Sequence, residues 1–537
     1  MKVKKQTFMK GILTVLIAQI LVKCLGFIYR VIITNFEGFG DKGNNNYGTA
    51  YTVYTLFLSL SLVGIPSVVS KLVSEKMAVG EKKGAYKIFK VALSLFAIIG
   101  IVLFLILFVF SKFISTHILV NVESTYSLAA LAPAVFFVTV SAVFRGFFAG
   151  LKDMRAQGTS QVLEQLFNCA FSILAVSLLV SQFSGSPEIM AMGSALGTTF
   201  ATIISTLYLV VFYLRRRHDI LEDMKNSAKE KQEATKSIIK KIMRLVIPIS
   251  IASIILSLSG VIDVATVKRC LLTFMSEDAA KDAVGILVGK VDILTNLPLA
   301  LNVAFSIVLV PTIAGAIAVG NVKNAKDKTS FSLLITMLIG LSCVVGLVVL
   351  AQPILNLLFP RANEGAILLQ IATVAVIFSA IAQTLSGTLQ GLGRVSIPAI
   401  ATLIGASIKL VLNLILIPIP SIGIYGAAIA SIAGQLTIAI IMFVTVNKAL
   451  KLKLNIIKYV VKPVVVSLIM GAAAFFAYET ISNLLPNTIA TLTSMVIAII
   501  VFLVLVIIFK IFNKEEIENL PMGKNIYKML VKIKVYN

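Results

Sequence analysis

Three cations and an amide lie inside apolar stretches of this chain, where a soluble protein would place leucine or valine. Lys23 lies in the middle of one stretch, and Arg30 follows seven residues later on nearly the same face of a helix. Lys409 lies in the middle of another stretch, with Asn413 one turn further on the same face. A charge at the centre of a bilayer costs about 2.5–3.5 kcal/mol on insertion scales. We therefore predict that these side chains line a cavity and bind a ligand, although snorkelling to the headgroups remains an alternative for Arg30.

Further polar side chains recur at helical spacing. One stripe consists of Gln161, Glu164, Gln165 and Asn168, and another of Ser379, Gln383, Ser386 and Gln390. Such stripes either line a cavity or form hydrogen bonds between helices. A third group consists of Asp292 and Asn296 on one helix face, with Lys290 at a depth similar to that of Asp263. Lys290 and Asp263 either form a structural ion pair or serve the same cavity.

A stripe of tyrosines follows in the next apolar stretch. Tyr47, Tyr51 and Tyr54 share one helix face near its outer end. We interpret them as an aromatic belt at the membrane interface, with stacking on a sugar as the alternative.

The chemistry of this cavity favours an anionic ligand. An exporter of cationic drugs would need carboxylates where this chain has lysines, whereas a phosphate or diphosphate is bound well by cations. The two histidines, His117 and His218, fall in loops, and no hydrolytic or phosphate-loop motif is present. We therefore expect no enzyme activity, no cofactor and no metal. The four cysteines are widely separated, without metal-ligand spacing, and are interpreted as structural thiols.

The elements that position these residues are transmembrane helices. The chain is 58% hydrophobic and 13% charged, against about 25% charged in soluble domains. Its apolar runs of about 20 residues match a bilayer crossed as helix, and the alternating pattern of a β-barrel is absent. The net charge of +24 comes from short segments between apolar runs, which argues against nucleic-acid binding.

We predict an all-α polytopic membrane protein with about fourteen spans. The predicted spans are 11–34, 48–70, 91–110, 127–149, 159–181, 189–213, 245–267, 284–318, 331–350, 366–392, 397–418, 422–447, 458–479 and 491–512. The eighth is long and contains Pro298 and Pro311, so a kink or a part outside the bilayer is expected. The lysines before the first span resemble a signal peptide, but no small-residue cleavage site follows, so we expect a retained span.

The distribution of lysine and arginine predicts the orientation of these spans in the membrane. Of 48 such residues, 38 lie in segments that are cytoplasmic if the N-terminus is inside, and six lie in the opposite segments. The positive-inside rule therefore predicts that both termini are cytoplasmic.

An internal repeat predicts two lobes. Residues 146–151 match 387–392, residues 66–69 match 311–314, and residues 193–196 match 426–429, at offsets of 241, 245 and 233. Since six spans are an even number, the lobes should be related by a pseudo-two-fold axis along the membrane normal. The predicted parts are an N-lobe (1–214), a basic cytoplasmic linker (215–244), a C-lobe (245–450), two extra helices (451–512) and a cytoplasmic tail (513–537).

Residues throughout the chain carry a family resemblance. They lie at 23–30, 145–154, 390–398 and 408–413. With its fourteen-span plan, the chain resembles the MurJ/SpoVB branch of the MATE-like (MOP) flippase superfamily. The resemblance implies twelve core helices plus two, and basic residues on helices 1, 2 and 8 around a diphosphate.

The match to that basic set is partial. Lys23 takes the position of one family arginine on helix 1, and Arg30 falls one residue after the second. Helix 2 offers only Lys71 at its inner end. On helix 8 the family's Asp-Arg pair looks like Asp292 followed by isoleucine, and we expect Lys290 to take the place of the missing arginine. These departures are closer to the SpoVB-like subgroup.

The resemblance implies a flippase for an undecaprenyl-diphosphate-linked cell-wall precursor, such as lipid II, in the bacterial plasma membrane. The expected partners are a lipid-linked oligosaccharide diphosphate, membrane lipids, and a coupling cation or the membrane potential. The alternatives are a flippase for capsule or teichoic acid units, a MATE-type drug antiporter, and a scaffold for cell-wall enzymes. The predicted diphosphate would contact Lys23, Arg30, Lys290, Lys409 and Asn413. The predicted cavity-lining or coupling residues are Gln161, Glu164, Asn168, Asp263, Asp292 and Gln383.

Overall fold

In the computed structural model, this chain folds as a bundle of helices. The structure describes residues 8–59, 61, 64–182, 186–225, 233–318, 320–452, 454–518 and 527. Within them every regular element is a helix. Twelve described helices are long and apolar enough to cross a membrane, and they do not include the first two predicted spans. The chain is therefore all-helical and polytopic, while the number fourteen stays a prediction.

The helices follow the predicted spans closely. In the first half they are α1 (Phe8–Thr34), α2 (Gly40–Ser59), α3 (Ile65–Ala78), α4 (Lys82–Val109), α5 (Ser111–Phe113), α6 (Ser124–Gly150), α7 (Arg155–Gln182), α8 (Pro187–Lys225) and α9 (Thr235–Leu271). In the second half they are α10 (Glu277–Ile286), α11 (Asp292–Ala318), α12 (Val322–Val349), α13 (Ala351–Leu358), α14 (Ala366–Gly391), α15 (Ser396–Leu416), α16 (Tyr425–Leu450), α17 (Lys462–Ser482), α18 (Asn487–Ile508) and α19 (Lys514–Glu518). Most helices begin and end within a few residues of the predicted span, because the thickness of the bilayer and the length of the apolar run determine where each helix starts and stops.

The second and eighth predicted spans are each divided. The second consists of α2 and α3, with Pro66 in the first turn of α3, where its missing N–H is tolerated. The eighth consists of α10, a π-helical turn at Leu287–Val291, and α11. Pro298 and Pro311 lie inside α11 and not at that irregular turn. The predicted irregularity is present, but it lies before both prolines.

The predicted linker is largely helical where it is described. α8 continues to Lys225 and α9 begins at Thr235, and residues 226–232 lie outside the described residues. Basic side chains of this segment therefore extend from the ends of two spans that are predicted to face the cytoplasm.

The described chain packs as two compact units. The first contains Met1–Lys290 and Leu410–Ile424, and the second contains Val291–Lys409 and Tyr425–Asn537. This division follows packing, whereas the predicted lobes are defined by symmetry. The lobe boundaries therefore stay a prediction.

In the first unit, α6 approaches α3 through two glycines. A Cβ at Gly146 would lie 2.8 Å from the carbonyl oxygen of Pro66. A Cβ at Gly150 would lie 2.8 Å from the Cβ of Val73 and 3.0 Å from the carbonyl oxygen of Ser70. Glycine is required at both positions, because any side chain would push the helices apart.

The second unit repeats this contact between α14 and α11. A Cβ at Gly387 would lie 2.8 Å from the carbonyl oxygen of Ser306. A Cβ at Gly391 would lie 2.9 Å from the carbonyl oxygen of Val310 and 2.7 Å from the Cβ of Ile313. The same pair of glycines, one turn apart, makes the same contact in both units, which supports the internal repeat.

These contacts correct the register of one predicted landmark. The glycines that correspond are 241 residues apart, but their contact partners Pro66 and Ser306 are 240 apart. The predicted match of Pro66 with Pro311 is therefore wrong by five residues. Pro66 and Pro311 match in sequence because both are prolines. The glycine contacts instead show that Ser306 occupies the position in the second unit that Pro66 occupies in the first.

A buried carboxylate holds the turn between α6 and α7. The Asp153 side chain is fully buried and accepts hydrogen bonds from Arg155 Nε at 2.9 Å, Arg155 Nη2 at 3.0 Å and Arg216 Nη1. Burial by itself would raise the pKa of Asp153, but the hydrogen bonds and charges of both arginines outweigh it and lower that pKa. The turn is thereby joined to the C-terminal extension of α8.

We expect Asp153→Asn to destabilise the protein by about 2 kcal/mol, because charge-assisted hydrogen bonds are lost. Since the folded-state pKa is lowered, the stabilisation is complete above the unfolded value near 3.8 and is lost as pH falls below it. The difference in unfolding midpoint between wild type and variant should stay constant from pH 8 to 5 and shrink below pH 4. A difference that shrinks between pH 8 and 6 would contradict this assignment.

Candidate substrate-binding site

The Arg30 guanidinium is the best candidate for an anion-binding group. Arg30 is 8% exposed on α1, and its Cζ lies 4.6 Å from the ring centroid of Tyr47. Its Nη1 is buried and has no hydrogen-bond partner among the described residues. Stacking on an aromatic ring satisfies part of the charge. A donor that faces no acceptor is costly in a protein interior, so this arginine is suited to an anionic ligand.

Close packing holds Arg30 in this position. Gly48 on α2 faces it, and a Cβ there would lie 3.2 Å from Arg30 Nη2 and 2.5 Å from Val288 Cγ1. Thr34, one turn further on α1, exchanges hydrogen bonds of 3.1 and 3.2 Å with the Asn44 side chain of α2. The guanidinium is therefore fixed by α1, α2 and the π-helical turn.

A chain of hydrogen bonds leads from Tyr47 into the polar stripe of α7. The Tyr47 hydroxyl lies 3.3 Å from Thr198 Oγ1, which donates to Asn168 Oδ1 at 3.0 Å. Ser172 also donates to Asn168 Oδ1, at 3.2 Å. Asn168 is 8% exposed, so its amide serves contacts between helices. Asn168 of the predicted stripe therefore makes hydrogen bonds between helices, and its role in a cavity stays a prediction.

Glu164 of the same stripe forms an ion pair. Its Oε2 accepts from Arg145 Nη2 at 2.6 Å, while Arg145 also donates to Ser160 and Ser205 at 2.9 and 3.0 Å. The Arg145 side chain is 4% exposed and that of Glu164 is 27% exposed. Glu164 is therefore a carboxylate with one paired side and one accessible side. Gln161 is partly exposed one turn earlier.

Lys290 is buried and paired with a residue that the sequence did not suggest. Its side chain is 0% exposed, and Nζ donates to Asp41 Oδ2 at 2.9 Å across 249 residues of sequence. Gly285 and Gly289 lie directly against Asp41 and Asn44, leaving no space for a Cβ. The segment 285–290 therefore fits tightly against the first turns of α2.

Asp263 and Asn413 come together, although they are 150 residues apart. Asn413 Nδ2 donates to Asp263 Oδ1 at 3.1 Å and to Thr266 Oγ1 at 3.2 Å. Asn413 is 0% exposed. This asparagine, predicted as a substrate contact, therefore joins α15 to α9.

Lys23 differs from the other predicted cations. It is exposed on α1, and no hydrogen bond or ion pair is found for it among the described residues. Nearby on α1, Gly26 faces the Gln165 amide of α7. A long cation without a partner in the described part of the chain is suited to binding a ligand.

The remaining predicted residues lie in the second unit. Lys409 is 7% exposed. A Cβ added to Gly434 would lie 3.3 Å from the Lys409 Cβ. The Gln383 Oε1 atom accepts from Asn302 Nδ2 at 3.2 Å, within a buried group that includes Thr336 and Thr384. Asp292 begins α11, and its carbonyl accepts from Asn296.

The tyrosine stripe is not a belt at the membrane surface. Tyr47 and Tyr51 stack with centroids 5.4 Å apart, and Tyr51 and Tyr54 are 5.6 Å apart. Tyr47 and Tyr54 are 3% and 1% exposed within the core of the first unit. The belt interpretation is wrong for these two, because neighbouring helices cover the face that was assigned to the headgroups.

The sequence also missed a cluster of acidic and basic side chains beside the first turns of α2. Glu123 accepts from Lys281 Nζ at 2.5 Å and from Asn46 Nδ2 at 3.0 Å. Lys268 is 2% exposed with Glu277 at 3.8 Å. From the sequence, Lys268 and Lys281 were counted only as loop charges that orient the chain. The run of three asparagines at 44–46, unusual beside an apolar span, was the available signal.

Two models of known protein families match this chain. The model of a family described as "Polysaccharide biosynthesis protein" matches residues 8–317, which is more than half of the chain. This protein belongs to that family. A second model, MatE, matches residues 248–415. The resemblance stated from the sequence is confirmed.

Two relatives from Bacillus subtilis (strain 168) match over most of their length. "Stage V sporulation protein B" is 26% identical over 531 residues, which cover 96% of this chain and 98% of the relative. "Lipid II flippase MurJ" is 26% identical over 483 residues, or 87% of each chain. Homologues of this member of the polysaccharide biosynthesis family therefore include a named flippase.

Among solved structures, the fold is similar to "Lipid II flippase MurJ, inward closed conformation". The TM-score is 0.68 at 17% identity, over 92% of this chain and 98% of that one. At this identity the likeness shows the fold alone. Together with the apolar helices, it shows that this family member is a multi-pass membrane protein.

Proposed function

We propose that this protein is a flippase that moves an undecaprenyl-diphosphate-linked cell-wall precursor, of the lipid II class, across the bacterial plasma membrane. The observation that carries the proposal is the buried Arg30 guanidinium, stacked on Tyr47 with one nitrogen that has no described hydrogen-bond partner. A guanidinium presents paired donors that match phosphate oxygens. Membership of a polysaccharide biosynthesis family supports a lipid-linked saccharide as the rest of the substrate.

In this proposal Arg30 and Lys23 bind the diphosphate from α1. They are seven residues apart, which places both on nearly one face of the helix. Lys409 contributes from the C-lobe, and Lys290 and Asn413 support the site through their contacts with Asp41 and Asp263. No chemical bond is made or broken, so the protein acts as a transporter and not as an enzyme.

Transport would proceed by alternating access. The lobes rock against each other while the headgroup crosses between them, and the lipid tail lies against α17 and α18. Both termini are cytoplasmic in this scheme, as the distribution of Lys and Arg predicts. Glu164, with its accessible side, is the candidate for coupling to a cation or to the membrane potential, and Gln161, Asp292 and Gln383 line the path.

Two other functions compete with this one. A flippase for capsule or teichoic acid units would use the same diphosphate contacts and a different sugar pocket. A drug antiporter is disfavoured, because Arg30, Lys23 and Lys409 would repel a cationic drug.

Complementation of a strain depleted of its lipid II flippase tests the proposal. We expect this chain to restore growth at a membrane level equal to that of the native flippase. A chain that reaches this level and restores only a strain lacking teichoic acid or capsule export would favour the other polymer. Failure in every flippase-deficient strain, with increased resistance to cationic drugs, would contradict the proposal.

Substitutions that remove or keep the positive charge of Lys23 test whether this residue binds the substrate. Lys23→Ala should lose a charge-assisted contact worth roughly 1.5–3 kcal/mol, about a tenfold to hundredfold drop in substrate affinity, and should cripple complementation. Lys23→Arg should retain function, because the site needs a cation. Membrane levels of both variants, measured by immunoblot, are the control. Full complementation by Lys23→Ala at the normal level would show that this lysine does not bind substrate.

A further inference from the structure

A basic cleft lies at the predicted cytoplasmic end of the first unit, apart from Arg30. It encloses about 250 Å³ between α3, α4 and the start of α9. Four cations line it, and they are Lys71, Lys76, Lys241 and Arg244. Two carboxylates, those of Glu75 and Glu233, face them. The lining therefore carries two positive charges in excess.

The ion pairs within the cleft leave two of its cations weakly engaged. Lys241 lies 2.7 Å from Glu233, and Lys76 is paired with Glu81 and lies 3.5 Å from Glu233. Lys71 is 58% exposed and 4.0 Å from Glu75, at the limit of an ion pair.

Arg244 is the second weakly engaged cation. It is exposed, and no carboxylate partner is found for it among the described residues. Lys71 and Arg244 are therefore the cations that remain available to an external anion.

The position of the cleft indicates which kind of anion it would bind. Lys71 follows the apolar run 48–70, and Arg244 precedes the apolar run 245–267. Both cations thus lie where the chain leaves the predicted hydrocarbon layer, at the level of the lipid headgroups. The remaining wall is apolar and is formed by Leu72, Ile88 and Leu245. A cationic rim over an apolar wall is complementary to a phosphate that carries acyl chains.

We propose that this cleft binds the phosphate headgroup of an anionic phospholipid from the cytoplasmic leaflet. Lys71 and Arg244 bind the phosphate, and the acyl chains extend along the apolar wall towards the bilayer. Basic recesses between transmembrane helices on the cytoplasmic side are suited to such lipids, because the anionic leaflet supplies them at high local concentration. A bound lipid would join α3 and α4 to α9. This proposal does not depend on which substrate the protein transports.

The test compares two double variants that remove the same charge. Lys71→Gln with Arg244→Gln removes two cations from the cleft. Lys236→Gln with Lys240→Gln removes two exposed cations from the same surface of α9, outside the cleft. The full-length protein in neutral detergent is titrated with phosphatidylglycerol, with phosphatidylcholine or with soluble glycerol phosphate, and bound lipid is counted by native mass spectrometry.

We expect phosphatidylglycerol to bind more tightly than phosphatidylcholine. The cleft pair should weaken its binding by about 25-fold, or about fivefold for each cation. The control pair should change it by less than about twofold. Arg244→Gln alone, on an exposed side chain, should give the fivefold loss if the double variant does not fold.

Three results would overturn the proposal. An equal loss in both pairs would mean diffuse attraction to a basic surface. Equal binding of the two phospholipids would mean that charge is not recognised. Competition by glycerol phosphate at the same concentration would mean that the cleft takes a soluble anion and not a lipid.

Discussion

Arg30→Gln is expected to abolish complementation while leaving the amount of protein in the membrane unchanged. The substitution removes the buried cation and keeps a polar side chain of similar reach. Loss of a paired contact between a guanidinium and a phosphate should lower substrate affinity by about a hundredfold or more. Folding should not suffer, because the charge lies in the interior with one nitrogen that no described side chain satisfies. Growth of the depleted strain and an immunoblot of its membranes provide the measurement.

Two further variants make this result specific. Arg30→Lys keeps the charge but loses the planar fork and most of the stacking on Tyr47, so partial function is expected. Arg215→Gln makes the same chemical change at an exposed position and should complement fully. If Arg30→Gln supports normal growth, then Arg30 is not a substrate contact and its burial has a purely structural cause.

Lys290→Met is expected to lower the free energy of unfolding by about 3–5 kcal/mol. The substitution leaves Asp41, whose side chain is 12% exposed, without the ammonium that lies 2.9 Å away. An uncompensated buried charge is costly, whereas removal of both charges is close to neutral. The double variant Asp41→Asn with Lys290→Met should therefore recover most of the lost stability. Thermal unfolding in detergent measures all three proteins, and a Lys290→Met variant as stable as wild type would contradict the expectation.

The same double variant separates two roles of Lys290. If this lysine only ties the π-helical turn to α2, a stable double variant should complement. If it also binds the diphosphate, the double variant should be stable and fail to complement. The sequence left both interpretations open, and stability measured beside function distinguishes them.

The helices of this protein are predictable because the bilayer determines them. Apolar runs of the required length lie between basic segments, and the structure places helices along them. Several helices begin earlier than predicted, and α2 is one of them, since it begins at Gly40, eight residues before the prediction. Asn44, Asn45 and Asn46 in its first turns are polar but fully buried. Hydropathy assigns such residues to water, whereas in this fold Asn44 bonds Thr34, and Asn46 bonds Glu123 and Asn121.

The site is less predictable, because it depends on contacts between distant parts of the chain. The cost of a charge in lipid identified Arg30 and Lys290 as unusual. It did not identify Tyr47 as the ring under Arg30, or Asp41 as the partner of Lys290. These pairings arise where glycines at 48, 285 and 289 allow the segment 285–290 to pack closely against α2. No periodicity within one helix encodes such a contact.

The central claim is that this protein transfers a lipid diphosphate between leaflets, and reconstitution tests it most directly. Proteoliposomes would carry a fluorescent undecaprenyl-diphosphate saccharide in both leaflets, and an impermeant quencher would report the fraction that reaches the outer one. We expect wild-type protein to let nearly all of the fluorescence be quenched, while Arg30→Gln leaves about half protected, as in empty vesicles. Wild-type protein that leaves the same half protected, under an imposed membrane potential and ion gradient, would contradict the claim.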